Sequence, residues 1–496
     1  MELKRSSGIL LHITSLPSSF GIGDIGPAAL RFIDWLEQAG QSWWQILPLG
    51  LPAQYNSPYL AQSSWAGSPL FVSLDLLARA GDLTPAEIRA ARVPDSAHIN
   101  YRRAAALRDK LLPLAARRFF TRSKTSEIQH YRRFCRRNQE WLDDWAVFSS
   151  ARRVFKSLPW WRWPSDLAGH NRRAIQTFST AHPEELACAR YIQFRFYEQW
   201  ENLREYAAKH GIKLIGDVPI YTAADSADVW ASPRLFKLQA DGQPRCVSGV
   251  PPDYFSRTGQ LWGHPVYDWK LHRTSGFKWW ISRLRAALEI ADIVRIDHFR
   301  GLEAYWEIPA PARNAIKGRW VKGPGEEFLK AVYRSLGNAP FIAEDLGVIT
   351  PGVNKLKTDW NLPGMQILQF AFGGNPRKNI HLPHLNARHS VVYTGTHDND
   401  TSLGWNRKAP AEQKRAFRAY TGCNGEAPHQ AMIRAAFSSP AALAVIPVQD
   451  VLGLGSEARL NRPGINEGIY LWKLVRGQLT DRHAKAIRDC CRAFGR

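Results

Sequence analysis

DIVRIDHFRG (292–301) closes a short apolar run on an acid, Asp297, and three other stretches repeat that design. They are IKLIGDVPIY (212–221) with Asp217, PFIAEDLG (340–347) with Glu344 and SVVYTGTHDND (390–400) with Asp398. Short apolar runs bounded by breakers read as strands buried on both faces. The stretches around Asp217, Asp297 and Glu344 each follow a helix-like segment ended by a breaker or a small-residue turn. Strand after helix after strand gives βαβ units and a parallel sheet. When such a sheet closes into a barrel, the C-terminal strand ends open on one mouth. The expected fold is therefore α/β, a (β/α)8 barrel. Several carboxylates at one mouth suit glycosidic-bond chemistry, which needs a proton donor beside an ionised partner.

Outward from these strands the same alternation continues. Residues 8–13 (GILLHI) read as a strand, and 27–40 (PAALRFIDWLEQAG) as a helix between Pro27 and Gly40. Ala29, Phe32, Ile33, Leu36 and Ala39 fall on one face of that helix. WWQILPLG (43–50) reads as the second strand. RYIQFRFYEQWENLREYAAKHG (190–211) reads as the helix before the Asp217 strand, with helices at 276–290 and 325–336 before the Asp297 and Glu344 strands. Residues 1–496 are expected to form one catalytic barrel with two insertions. The first, 52–190, is a loop followed by an Arg-rich helical segment; the second, 222–275, is an aromatic, Gly- and Pro-rich loop.

Composition narrows the classes. With 496 residues, 45% of them hydrophobic, the chain can bury a large core and is not of disordered type. No apolar run reaches the roughly 18 residues that a bilayer span needs, and the first residues lack a long apolar signal core. The six cysteines (Cys135, Cys188, Cys246, Cys423, Cys490, Cys491) lack CxxC spacing and read as cytosolic thiols. A cytoplasmic protein is expected. The net charge of +22 is compatible with a polyanionic partner. Arg doublets on amphipathic helices, however, are more often solvated faces, and no nucleic-acid module accompanies them. No specific nucleic acid and no membrane partner is expected. The 20 tryptophans point instead to sugar rings.

The individual motifs each have a bland alternative. Arg295 and Asp297 leave one face of a strand, and a guanidinium beside a carboxylate holds it ionised, as a nucleophile on an anomeric carbon must be. Alone, this would read as a structural ion pair. Glu344 suits a general acid if burial raises its pKa; for its neighbour Asp345 a helix N-cap is preferred. Asp398 and His397 could grip sugar hydroxyls, or Asp398–Asp400 could build an Asx turn. FGIGDIG carries GxGxxG (Gly21, Gly23, Gly26), yet the tight strand-to-glycine turn and the acid ending the next strand of a dinucleotide site are missing. No phosphate loop and no HExxH helix is present, so no cofactor and no metal is expected.

Taken together, RSSGILLHITSLPSSFGIGDIG, WWQILPLG, SPY, GDVPIY, GVPPDYFSRTGQLWG, VRIDHFRGLEAYWEIPA, IAEDLG, TGTHDNDT and QDVLGLGSEARLNRPG carry a resemblance. The chain resembles the 4-α-glucanotransferases of the amylomaltase or disproportionating-enzyme family, in the α-amylase clan. That resemblance implies a barrel without a C-terminal β-domain, a retaining mechanism, and α-1,4-glucans and maltooligosaccharides as partners. It implies Asp297 as nucleophile, Glu344 as acid/base and Asp398 as transition-state stabiliser. It further implies substrate contacts from Ser57, Tyr59, Asp217, Asp253, Gln260, Trp262, Arg295, His298, His397 and Asn461. The chain departs from the family in WGHP, with His264 where Asn is usual. Two rivals remain at this level: an α-glucan hydrolase using the same carboxylates, and a glucan- or polyanion-binding protein with an idle enzyme fold.

Overall fold

The computed structural model describes residues 3–252, 256–423 and 427–496. Eight strands form one sheet: β1 (Ser6–Leu10), β2 (Trp43–Gln45), β3 (Lys213–Val218), β4 (Ile293–Ile296), β5 (Phe341–Ala343), β6 (Gly364–Ile367), β7 (Ser390–Tyr393) and β8 (Leu443–Pro447). Their order is β6-β7-β8-β1-β2-β3-β4-β5, every neighbouring pair parallel. The ends of that row meet where the Ala343 N–H donates to Pro363 O at 2.9 Å. The result is a (β/α)8 barrel. Almost every strand residue is buried, as a sheet covered on both faces requires.

The helices form where the periodicity places them. Pro27–Gln38 starts on Pro at its first turn, and Gly40 closes it with φ of +66°, a conformation that favours glycine. Lys278–Ile290 and Gly325–Leu336 precede β4 and β5. Between β2 and β3 run Tyr101–Arg122, Thr125–Arg137, Gln139–Val154, Arg172–Ala181 and the 27-residue Pro183–Lys209, the expected Arg-rich helical segment. After β8 there is no further strand among the described residues.

The segment 222–275 is not the loop that its composition predicts. It holds the helix Ala227–Ala231, strands Cys246–Val250 and Gln260–Pro265, and the helix Trp269–Thr274. Those strands join Ala304–Pro309 and Arg319–Lys322 in a second, antiparallel sheet, with Gln260–Pro265 at one edge and Arg319–Lys322 at the other. Its small core, Val247, Ile308 and Ala315, draws on both halves. Neither hairpin buries its apolar face until the other arrives, which is why local pattern does not reveal it.

Candidate active site

In the ladder between β3 and β4, Asp217 lies directly opposite Arg295. Side chains in register on adjacent parallel strands project together into the barrel, and these two make an ion pair of 2.6 Å with neither side chain more than 3% exposed. Arg295 Nη2 donates at the same time to Asp297 Oδ1, at 2.9 Å. Tyr59 closes the cluster, its hydroxyl donating to Asp217 Oδ2 at 2.6 Å and accepting from Arg295 at 3.1 Å. Asp217 is therefore enclosed by protein partners, whereas 28% of the Asp297 side chain faces the cleft.

Glu344 follows β5 directly and is held without a cation among its hydrogen-bond partners. Its Oε2 accepts from the His298 amide at 2.7 Å and its Oε1 from the Leu346 amide at 3.0 Å. His298 is the residue after Asp297, so the two carboxyls occupy adjacent strand ends. Asp345 is not a helix N-cap. It pairs with Lys357 at 2.5 Å and accepts from the Met365 amide at 2.7 Å, pinning β5 to β6. The following helix, Pro351–Asp359, is capped by Thr350 instead.

Asp398 stands past β7 with 42% of its side chain exposed. Asn461 Nδ2 donates to its Oδ1 at 2.6 Å, His397 Nε2 lies 3.3 Å from the same oxygen, and Arg459 donates to its main-chain oxygen at 2.6 Å. The turn beneath is built by Asn399, whose Oδ1 accepts from the Thr396 amide at 2.8 Å. The turn read from GTHDND is present and is built by Asn399, which leaves the Asp398 side chain partly exposed. His397 stacks on Tyr59, with ring centres 5.0 Å apart.

Burial raises both carboxyls. Burial raises Glu344 to about 7; Arg295 and the two amides pull against that rise, and Asp345 adds to it. Asp297 also moves upward, first through burial, with Arg295 opposing and Asp217, Glu344 and Asp398 reinforcing. The lowering expected from Arg295 alone does not result, because burial of Asp297 outweighs it and the charges of Asp217, Glu344 and Asp398 add to the rise. Asp297 and Glu344 consequently titrate as a pair. Burial also keeps His298 neutral, down to about 3 with help from Arg300, and lowers His397, which Asp398 partly restores.

The second sheet reaches the same mouth. Trp262, on its edge strand, meets His298 edge-on at 4.7 Å, and its indole N–H donates to Gln260 Oε1 at 3.2 Å. His264 accompanies them, 3.2 Å from Ser248 Oγ. Asp253 lies outside the described residues. Ser57 sits by the Tyr470 hydroxyl. Tyr470 and Arg459 were not singled out from the sequence. Tyr470, buried and at φ +54°, lies against His397 with ring centres 6.5 Å apart; its sequence signal is an aromatic run, YLWK, far along the chain from Asp297, Glu344 and Asp398. No group of His, Cys, Asp or Glu able to hold a metal occurs among the described residues, and no described helix is long and apolar enough to cross a membrane.

A parallel barrel with three carboxyls at its C-terminal mouth is the frame of an enzyme working on glycosidic bonds. Residues 11–477 match the family model described as 4-alpha-glucanotransferase, glycoside hydrolase family 77, and the chain belongs to that family. A 4-alpha-glucanotransferase of Synechocystis is 45% identical over 497 residues, covering 99% of this chain and 98% of that protein. One from Thermus thermophilus is 43% identical, with 100% of both chains covered. Among solved structures, an amylomaltase from Streptococcus agalactiae in complex with acarbose superposes with a TM-score of 0.96. It is 33% identical, and 99% of this chain and 100% of that one are covered. The activity is 4-α-glucan transfer, a glycosyltransferase-type reaction.

Proposed function

We propose that the protein moves α-1,4-glucan segments from a donor maltooligosaccharide to the 4-hydroxyl of an acceptor sugar by retaining double displacement. The observation that carries this reading is the unlike holding of two adjacent carboxyls: Asp297 on a guanidinium, Glu344 on amides only. Burial pushes both carboxyls upward and Arg295 opposes the rise in each. In this reading the charge rests on Asp297, which Arg295 hydrogen-bonds, and the proton on Glu344, whose hydrogen-bond partners are amides.

Glu344 then delivers its proton to the glycosidic oxygen as Asp297 attacks C1, and the leaving chain departs with a free 4-hydroxyl. The product is a glucosyl ester on Asp297 with inverted configuration. Next, Glu344, now ionised, takes the proton of an incoming 4-hydroxyl. The new bond to C1 restores the α configuration and frees the Asp297 carboxylate. Asp398, held by Asn461 and His397, faces the developing positive charge of the sugar. Tyr59, His298 and His397 shape the donor position, while Asp217 acts behind it by orienting Arg295 and Tyr59. That the Streptococcus relative is in complex with acarbose supports a glucan-type ligand for this chain. Trp262 and Leu261, on the edge of the second sheet, limit water at the intermediate.

Incubation with maltotriose tests the reading. A ladder of longer oligosaccharides plus glucose, at constant total reducing ends, is the expected result. Reducing ends that rise without longer products would make the protein a hydrolase. Bound but unchanged substrate would make it an idle fold.

A further inference from the structure

The second sheet straddles the turn that follows the nucleophile, and it does so with a tryptophan from each edge. Trp262, on Gln260–Pro265, meets His298. Trp320, on Arg319–Lys322, lies under Arg300, whose guanidinium carbon is 3.9 Å from the ring centre. Trp306, on the neighbouring strand Ala304–Pro309, braces Trp320 edge-on at 5.2 Å. Residue 298 takes the left-handed conformation, φ +51°, without being glycine. Such a backbone persists only where its surroundings impose it. Gly301 tightens the same turn, since a Cβ there would meet Ile220 Cδ1 at 2.7 Å.

Arg300 does more than stack. It is buried, 6% exposed, and its Nη1 donates to Val348 O at 2.7 Å. Val348 ends the stretch that begins with Glu344, and two more bonds cross between the same segments. The Phe299 amide donates to Glu344 O at 3.1 Å, and the His298 amide to Glu344 Oε2 at 2.7 Å. One side chain thus ties three segments together: the turn after Asp297, the turn bearing Glu344, and the outer edge of the second sheet. A guanidinium over an indole face gains from charge and from flat contact, and lysine cannot reproduce both.

We propose that Arg300, clamped by Trp320 and bonded to Val348, is a positioning residue that fixes the Glu344 turn against the Asp297 turn. Its role rests on the reading of these two as acid/base and nucleophile. The consequence is that the sheet carrying Gln260 and Trp262 at one edge also sets the acid through its other edge. Contacts made on one side of the cleft therefore help align the proton donor.

The test uses Trp320→Leu and Arg300→Lys in the full-length protein, with Trp320→Phe as the variant that keeps a flat ring. Trp320 has a 42% exposed ring at a sheet edge, so its replacement spares the barrel core. Misplacing a reacting group by about 1 Å costs on the order of 10²-fold, and a loosened rather than displaced acid should cost roughly 10-fold. The expected result for Trp320→Leu and Arg300→Lys is a loss of that size in kcat with donor KM unchanged, and recovery in Trp320→Phe. A loss confined to KM would make Trp320 a substrate contact and overturn the proposal. Hydrogen exchange gives a readout that needs no substrate. The His298 and Leu346 amides, both bonded to Glu344, should exchange faster in Trp320→Leu while barrel amides such as Val392 do not. Unchanged exchange at both would overturn the proposal even if the protein proved not to be a transferase. Faster exchange would sustain it independently of that reading.

Discussion

The ends of β4 and β5 carry the two carboxyls that matter most, and they are built on opposite plans. At β4, Asp297 shares a buried guanidinium with a second acid and stands among further negative charges. At β5, Glu344 meets only main-chain amides. Charge partners favour the ionised form, whereas burial without them favours the neutral one. Burial nonetheless raises both, so the two ends differ in how each acid is held, Asp297 by a guanidinium and Glu344 by amides, and not in the direction of their shifts.

The sharpest break of this comparison is at β4. In the proposed mechanism Asp297→Asn removes the nucleophile while keeping shape and an acceptor for Arg295. Activity should fall by on the order of 10⁴-fold or more, the scale of losing a nucleophile. Covalent trapping by a slow fluorosugar should vanish with it. Trapping that persists would move the nucleophile elsewhere.

At β5 the same swap should act differently. Glu344→Gln leaves the nucleophile intact, so ordinary glucans should slow by about 10² to 10⁴-fold. A donor with a good leaving group should still form the intermediate. Because Glu344 is raised to about 7, kcat/KM should decline as pH rises through that value, where the free enzyme loses its acid proton. The alkaline limb should disappear in Glu344→Gln measured with the activated donor. A limb that survives belongs to another group.

Asp217 tests the plan at β4 from behind. Its side chain has no exposed surface, so truncation leaves Arg295 buried with one acid fewer. Breaking a buried pair costs about 3 kcal/mol or more, and Asp217→Ala should lose stability on that scale in urea unfolding. Donor KM should move little, because Asp217 lies behind the residues that face the cleft. A variant of native stability with greatly raised KM would return Asp217 to direct sugar contact.

What could be read from the sequence follows from range. The strands ending on Asp217, Asp297, Glu344 and Asp398 were legible because each acid closes its own apolar run. β6 carries no such mark, and GMQI is too short to identify locally; β8, LAVIP, is followed by an acid, Asp450, but no helix is read before it to complete the pattern. The second sheet escaped because its hairpins bury nothing separately. Arg295 was correctly placed beside Asp297 by strand alternation. Its lowering effect on Asp297 is outweighed by burial, which local pattern does not show, and by the charge of Asp217, which lies 78 residues from Arg295 and joins it through the ladder. Arg459 lies in a quoted stretch, SEARLNRPG, two residues before Asn461, but only folding shows that it holds the Asp398 main chain; Tyr470 lies beyond that stretch and meets His397 only in the fold.

The smallest expected effect lies on the far side of the mouth, where Asn461 donates to Asp398. A hydrogen bond to a charged group is worth about 1.5–3 kcal/mol. His397, 3.3 Å from the same oxygen, remains in place when Asn461 is removed. Asn461→Ala should therefore cost near the lower end, roughly tenfold in kcat/KM. The loss should fall on kcat if Asp398 acts on charge that develops only in the transition state. It should fall on KM if Asp398 merely holds hydroxyls, since those are gripped equally before and during reaction. Asp297 has a cation to keep it in place and Glu344 has amides, whereas Asp398 depends on neutral side-chain donors. A null effect of Asn461→Ala on both constants would mean that His397 and the turn beneath suffice to aim it.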